Sequence, residues 1–282
     1  MLHSELFNQT LTDLTEINRS SNWRSSPELD IQILIERAFG LTRDQFWILR
    51  QKPIVNQNGL KKFYRYTAKL KNHEPVAYII KEKPFYNTNF YVNKSVLIPR
   101  PETELIVEKA LDIIDFPIQI LDIGAGSGNI SITIALETGS TVVAVENDKN
   151  AIRILRRNIE THGMKEKVII EQSDLFTKKK WTFDMIVSNP PYVSEKEWIQ
   201  LPPSVRDYEP RGALVAGQSG YEIIERIITG AKKYLNPDGW LLIEIGYRQK
   251  ERVEKLLRRA DFQLIHFFND YSKIPRLACA HA

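Results

Sequence analysis

Four consecutive residues, Asn189-Pro190-Pro191-Tyr192, carry chemistry most directly. They follow Phe183-Asp184-Met185-Ile186-Val187-Ser188, an apolar run of strand length. Two prolines end that strand, because proline brings no amide to the ladder and holds the residue before it extended. The result is a stiff turn with an amide side chain at its entrance and an aromatic ring at its exit. An amide oxygen so held accepts hydrogen bonds from an –NH2 group, and a ring stacks on a planar one. Such a turn suits methylation of a planar, weakly nucleophilic amino or amide nitrogen. Alone, the same tetrapeptide also reads as a proline turn that merely ends a strand.

A second element upstream weighs against that plainer reading. Ile118-Gln119-Ile120-Leu121-Asp122-Ile123 is a strand pattern that runs into Gly124-Ala125-Gly126-Ser127-Gly128, and a helical pattern follows over 129–137. Glycines at a strand-to-helix turn let the backbone approach a ligand closely. A further strand, Thr141-Val142-Val143-Ala144-Val145, ends at Glu146, 22 positions past Gly124. That is the spacing at which an acid meets ribose hydroxyls in nucleotide-binding βαβ units. Asp122 precedes the loop, where it can hold the loop or a ligand amine. The pattern is G-x-G-x-G, without the last glycine of the dinucleotide fingerprint. It resembles the S-adenosylmethionine loop of Rossmann-like methyltransferases more than an NAD site.

The elements that must position these residues form two blocks. Residues 1 to about 84 show helical periodicity and no strand alternation, which predicts a small helical bundle. Ser25-Ser26-Pro27-Glu28 reads as a helix start, with Leu29, Ile33, Leu34 and Arg37 on one face. Gly40 ends that helix and Thr42-Arg43-Asp44-Gln45 begins another. Pro53, Asn56 and Gly59 mark a break before a helix over 60–72. After Pro84 the texture becomes that of a β-hairpin with an Asn-rich turn. From Glu102 onward helices (103–115, 220–234, 248–260) alternate with strands (118–123, 141–146, 168–171, 183–188, 239–245), and a terminal strand pair falls near 262–268 and 276–280. This predicts an α/β domain with a mostly parallel sheet.

Composition narrows the class. At 282 residues and 43% hydrophobic, the chain can bury a large core. No apolar run approaches the roughly 18 residues that span a bilayer. The first 24 residues are polar and acid-containing, unlike a signal peptide. A single cysteine, Cys279, excludes an internal disulfide and a multi-thiolate metal site, and reads as a small apolar residue of a terminal strand. The five histidines show no ligand spacing, so no metal is expected. These features fit a reducing, cytoplasmic setting. Residues 1–84 hold 13 basic and 9 acidic residues, which accounts for the whole net charge of +4. A mildly basic module fits an acidic partner surface or RNA; it also fits an ordinary solvated helical face.

Five segments together resemble the release-factor glutamine methyltransferases, the HemK-type family, over nearly the full length. They are His73-Glu74-Pro75-Val76-Ala77-Tyr78-Ile79; Leu97-Ile98-Pro99-Arg100-Pro101-Glu102-Thr103-Glu104; the loop at 122–128; Asn189-Pro190-Pro191-Tyr192; and Tyr208-Glu209-Pro210-Arg211-Gly212-Ala213-Leu214. The segment I-P-R-P-E-T-E is the most specific, since N-P-P-Y methyltransferases of DNA or RNA lack it. The resemblance implies a helical substrate-recognition domain (1–84), a hairpin linker (85–101) and a methyltransferase domain (102–282). It implies a Rossmann-like, seven-stranded sheet with one antiparallel edge strand. S-adenosylmethionine is the implied cofactor. The implied substrate is the glutamine of the Gly-Gly-Gln loop of peptide-chain release factors, and no membrane or stable nucleic-acid partner is expected.

On that resemblance the roles fall as follows. Asn189 and Pro190 accept the two N–H groups of the substrate amide, and Tyr192 packs on it beside Pro191. Asp122, the loop residues Gly124, Ala125, Gly126, Ser127 and Gly128, Glu146 and Asn189 face the cofactor. Asp174 meets the adenine amine, and Leu175 or Phe176 covers its ring. Asp174 also reads as a helix cap. Arg100 and Glu102 shape the substrate entrance, or brace the linker. No side chain in the motif is a strong base, so kcat is expected to show no enzyme ionisation between about pH 6 and 9. The sequence departs from the family's usual glycine before the late arginine of the terminal hairpin, in Asp270-Tyr271-Ser272-Lys273-Ile274-Pro275-Arg276, and has Glu146 where many relatives carry Asp. Other readings are a nucleic-acid adenine N6-methyltransferase, which needs a captured base, a methyltransferase for a ribosomal-protein glutamine, and a non-catalytic binding protein.

Overall fold

The computed structural model describes residues 2–21 and 26–282. The chain divides into two compact units: Met1–Lys81 with Leu201–Tyr208, and Glu82–Gln200 with Glu209–Ala282.

The first unit holds helices α1 (His3–Ser21), α2 (Pro27–Phe39), α3 (Arg43–Leu49), α4 (Gln57–Lys71) and α5 (Val76–Ile80). Pro27 stands in the first turn of α2, where its missing amide costs nothing. Ser26 precedes it without a side-chain cap bond, and Ser25 lies outside the described residues. The buried face of α2 is Ile31, Leu34, Ile35 and Ala38. The sequence reading chose a face with Leu29 and Arg37; both are exposed. Spacing i, i+3, i+4, i+7 with four apolar residues beats a stripe that includes a guanidinium. Gly40 ends α2 in the left-handed region at φ 69°, and Thr42 with Gln45 forms a reciprocal capping box for α3. Gly59 corrects a second expectation. It lies inside α4, which Asn56 caps, and a Cβ there would come within 2.5 Å of the Phe39 ring. Its role is close approach, not helix breaking. The late segment Leu201–Tyr208, read from sequence as methyltransferase, joins this unit, with the Tyr208 hydroxyl donating to the Asn72 carbonyl.

The second unit is built on seven strands: β1 (Gln119–Ile123), β2 (Thr141–Glu146), β3 (Val168–Gln172), β4 (Phe183–Ser188), β5 (Leu235–Glu244), β6 (Gln263–Asn269) and β7 (Pro275–His281). Their order is β6-β7-β5-β4-β1-β2-β3. Neighbours from β5 through β3 are parallel, and β7 runs antiparallel to both β5 and β6. The expected antiparallel strand therefore lies one place in from the edge, because the terminal hairpin inserts its second strand beside β5. The central strands are apolar on both faces because helices cover both. On one face α6 (Glu104–Ile113), α7 (Asn129–Thr138) and α8 (Lys149–Thr161) pack with Phe85 and Phe90 of the hairpin; on the other lie α9 (Glu222–Ala231) and α10 (Lys250–Arg259). Cys279 is buried in β7. In the terminal turn Lys273 takes a left-handed φ of 61°, and the Asp270 carboxylate accepts the Ser272 and Ile274 amides.

The segment 85–101 is tied to this unit rather than strung beside it. Asn158 of α8 accepts the Tyr91 amide at 2.9 Å and donates to the Tyr91 and Ser127 carbonyls. Glu104 accepts the amide of Tyr86 in the hairpin turn at 2.8 Å. Among the described residues no helix is long and apolar enough to cross a membrane.

Candidate active site

Two adjacent strand ends make the site. Ile123 and Ser188 are register partners in β1 and β4, and the Ser188 hydroxyl donates to the Ile123 carbonyl at 2.8 Å. The glycine loop leaves β1 and the N-P-P-Y turn leaves β4, so topology alone sets them side by side, as at the switch point of other open α/β sheets.

The loop is made of backbone. Gly124, Gly126 and Gly128 have φ of 76°, 55° and 83°, a region costly for other residues. The amides of Gly124 and buried Ala125 donate to the Val145 carbonyl. Gly126 donates to Glu146 Oε2 at 2.9 Å, while Oε1 accepts from Asn147 and Asp148. Glu146 is thus a joint between the loop and the end of β2, with one acceptor site left on Oε2 for a hydroxyl donor. A Cβ at Gly124 would meet nothing within 4 Å, whereas one at Gly128 would press on Leu155 at 2.5 Å. The first glycine borders open space and the last lets α7 close on α8. Ser127 is buried and donates to Asn129.

Asp122 is fully buried. Its Oδ2 accepts both the amide and the hydroxyl of Ser131, which fixes the first turn of α7. Its Oδ1 has no partner among the described residues. Burial pushes this carboxyl up to about 7, against the pull of the two Ser131 bonds.

The N-P-P-Y turn is held by side chains from distant segments. Asn189 Nδ2 donates to Thr103 Oγ1 at 2.9 Å. The Thr103 hydroxyl donates to Glu244 Oε2 at 2.7 Å. Tyr192 donates to the other oxygen, Glu244 Oε1, at 3.2 Å. Glu244 ends β5 and is buried; desolvation raises its carboxyl to about 7, against the hydrogen bonds from Thr103 and Tyr192. Burial, then the nearby Glu244, hold the Tyr192 hydroxyl protonated far above neutral pH. Gln249 donates to the Tyr192 and Gly220 carbonyls and accepts the Gly246 amide. Pro190 is buried and Asn189 and Tyr192 half-buried, so one edge of the turn stays open.

Two of the recognised segments meet here. Arg100 pairs with Glu209 at 2.5 Å, and the other Glu209 oxygen accepts the Ile98 amide. Arg100 thereby ties the end of segment 85–101 to Glu209. Glu102 is exposed in the short 3-10 turn Pro101–Thr103 that precedes α6. Past the turn, Val193–Ser194 and Val215–Gly217 form a short parallel pair that no sequence pattern announced.

Asp174, Leu175 and Phe176 follow β3, three strands from β4. Asp174 pairs with Arg226 at 2.6 Å, Leu175 is left-handed at φ 65°, and the Phe176 ring stacks on Tyr234 at 4.6 Å and lies against Gly230. They line a common cleft with Thr229 and Lys233. In this arrangement the Phe176 ring is engaged by protein.

Sequence reasoning missed Thr103, Glu244, Gln249 and Asn158. Glu244 had a signal: it is the lone carboxylate in Leu241-Leu242-Ile243-Glu244-Ile245, where every neighbour is buried. Thr103 was hidden between charged residues that drew attention.

The methyltransferase small domain matches residues 102–201, and the PrmC N-terminal domain matches residues 9–80. A release factor glutamine methyltransferase of Geobacter sulfurreducens is 39% identical over 83% of this chain and 82% of its own length. One from Chlorobaculum tepidum is 36% identical over 90% of each. Among solved structures, a methyltransferase from Pyrococcus furiosus superposes with a TM-score of 0.55 at 18% identity, covering 77% of this chain and 98% of that one, a likeness of fold. At such identity over most of both lengths, the chain belongs to the release factor glutamine methyltransferase family.

Proposed function

We propose that this chain transfers a methyl group from S-adenosylmethionine to the side-chain amide nitrogen of the glutamine in the Gly-Gly-Gln loop of peptide-chain release factors, in the cytoplasm. The names of its relatives support the acceptor. The observation that carries the chemistry is the direction of the Asn189 amide. One N–H of its Nδ2 donates to Thr103, which turns the amide so that Oδ1 faces away from Thr103 as an acceptor for a ligand. An acceptor is what an incoming carboxamide –NH2 requires.

The chain's residues fit the donor. The loop offers a face without Cβ atoms at Gly124 and Gly126, Glu146 has capacity for ribose hydroxyls, and Asp122 has an unsatisfied oxygen. When bound, S-adenosylmethionine supplies an electrophilic methyl on a sulfonium. A carboxamide nitrogen is a poor nucleophile, because its lone pair is delocalised. Asn189 Oδ1 and the Pro190 carbonyl accept its two N–H bonds, hold the lone pair toward the methyl, and stabilise positive charge as it develops. The nitrogen loses its proton after attack, so no strong base is needed. Tyr192 packs on the amide plane. The Pro-Pro frame keeps the ordering cost of this arrangement low.

The helical unit is read as the surface that holds the release factor away from the reacting loop, consistent with its net positive charge. Transfer of label from S-adenosylmethionine to intact release factor, DNA, RNA and ribosomal protein in parallel tests the acceptor. Fragment mass spectrometry is expected to place one methyl on that glutamine, and its replacement by alanine to abolish labelling. Faster transfer to adenine, or to a ribosomal-protein glutamine, would overturn the assignment.

A further inference from the structure

The N-P-P-Y turn is anchored at both ends on one carboxylate. Glu244 accepts the Thr103 hydroxyl on Oε2 and the Tyr192 hydroxyl on Oε1. Thr103 in turn accepts the Asn189 Nδ2. A hydroxyl has one proton to give. With that proton committed to Glu244, Thr103 Oγ1 can meet Asn189 only as an acceptor. The side-chain amide of Asn189 is then pinned with Nδ2 inward and Oδ1 toward the ligand.

We propose that Glu244, acting through Thr103, is the positioning pair that sets which face of the Asn189 amide the substrate meets. This rests on the reading of Asn189 Oδ1 as the acceptor for the substrate amide. Both residues are buried, at 1% exposure for Thr103 and 2% for Glu244, so water does not compete for these bonds. The chain is directional: Asn189 to Thr103 to Glu244, each donating to the next. If the carboxylate end is replaced by a donor, the Thr103 proton is free to turn toward Asn189. Asn189 then lowers its energy by flipping, and its –NH2 faces the substrate –NH2. Two donors oppose each other and the nitrogen is no longer held in line. Glu102 and Arg276 are the charged groups that face Glu244, with the titratable Tyr192 bonded to it, and Arg276 is itself held by Asp270 at 3.1 Å.

The test compares Thr103→Val, which keeps the shape and loses the hydroxyl, with Thr103→Ser, which keeps the hydroxyl. Thr103→Val is expected to lower kcat about 10–100-fold, somewhat less than removal of an orienting group itself. The affinity for S-adenosylmethionine and the KM for release factor should stay within about 3-fold. Thr103→Ser should hold kcat within about 3-fold of wild type. A merely structural role would not separate the two in this way. Glu244→Gln provides a second route if Thr103→Val does not fold. A glutamine amide accepts one of the two hydroxyls and donates to the oxygen of the other; with its –NH2 toward Thr103 the Thr103 proton turns to Asn189, so kcat should fall about 10-fold or more, and adding it to Thr103→Val should cost little further, because both act on one chain. Thr103→Val or Glu244→Gln with kcat within about 3-fold of wild type would overturn the proposal, as would a Thr103→Ser as slow as Thr103→Val. Asn189→Ala separates the two levels. If it too is active, the reading of Asn189 fails; if it is inactive while Thr103→Val and Glu244→Gln are active, only the positioning chain fails.

Discussion

The glycine loop and the N-P-P-Y turn sit on neighbouring strand ends and are built on opposite plans. The loop is fixed by backbone amides and by Glu146, 20 residues from Gly126. The turn is fixed by side chains: Asn189 reaches Thr103 across 86 residues, and Thr103 reaches Glu244 across 141. A backbone cradle tolerates changes of side chain but not of conformation. A side-chain frame tolerates changes of conformation elsewhere but not of a single hydrogen-bond direction. The first plan suits a cofactor held by shape, and the second suits a substrate that must be aimed.

Asn189→Ala breaks the comparison on the substrate side. It should lower kcat about 10²–10³-fold, as loss of one preorganised hydrogen-bonding group does, with donor affinity little changed by calorimetry. Equal losses in rate and donor affinity would mean that the two regions are not separable.

Protonation of Glu244 sharpens it. The carboxyl is raised by burial from 4.5 to about 7 in the folded chain. The folded state therefore keeps its proton over a range where the unfolded chain has lost it. Stability from this group is full below about pH 4.5 and is lost as pH rises to about 7, a difference on the order of 3 kcal/mol. Urea titrations should show that decline in wild type and a smaller one in Glu244→Gln. The same ionisation bears on rate. The residues alone lead to a flat kcat between about pH 6 and 9, yet Glu244 lies two hydrogen bonds from the acceptor oxygen, with Glu102, Arg276 and Tyr192 facing it. A fall in kcat below about pH 7 is therefore expected from the positioning chain, without a general base.

On the loop side, Gly128→Ala places a Cβ 2.5 Å from Leu155 at a φ of 83°. Backbone strain and overpacking together should cost roughly 2–3 kcal/mol of stability, read from the urea midpoint. Glu146→Ala should weaken donor binding by roughly 1.5–3 kcal/mol, the range for a charge-assisted hydrogen bond, while kcat at saturating donor stays near wild type. Unchanged affinity would remove Glu146 from the site.

The same contrast explains what the sequence could show. Alternating helix and strand patterns, the glycine spacing and the acid 22 residues on are local, and each matched a strand end or turn in the structure. The proline pair announced the rigid turn for the same reason. The face of α2 was misread because Leu29 and Arg37 satisfy the helical period as well as Ile31 and Ala38, and only packing decides between them. The place of β7 one strand in from the edge depends on how the terminal hairpin docks, which no local pattern encodes. Thr103 stayed silent, and Glu244 showed only as a lone carboxylate in an apolar strand, because a hydroxyl and a carboxylate gain their roles from partners that the fold brings together from 86 to 141 residues away.

In the proposed mechanism Asn189 Oδ1 aims the substrate nitrogen while one N–H of Nδ2 donates to Thr103. A crystal structure of the chain with S-adenosylhomocysteine and an intact release factor tests it directly. The glutamine amide nitrogen is expected about 2.7–3.2 Å from Asn189 Oδ1, with the Asn189, Thr103 and Glu244 bonds unchanged. A glutamine whose nitrogen is held by another residue, or an Asn189 amide that has turned away from Thr103, would contradict it.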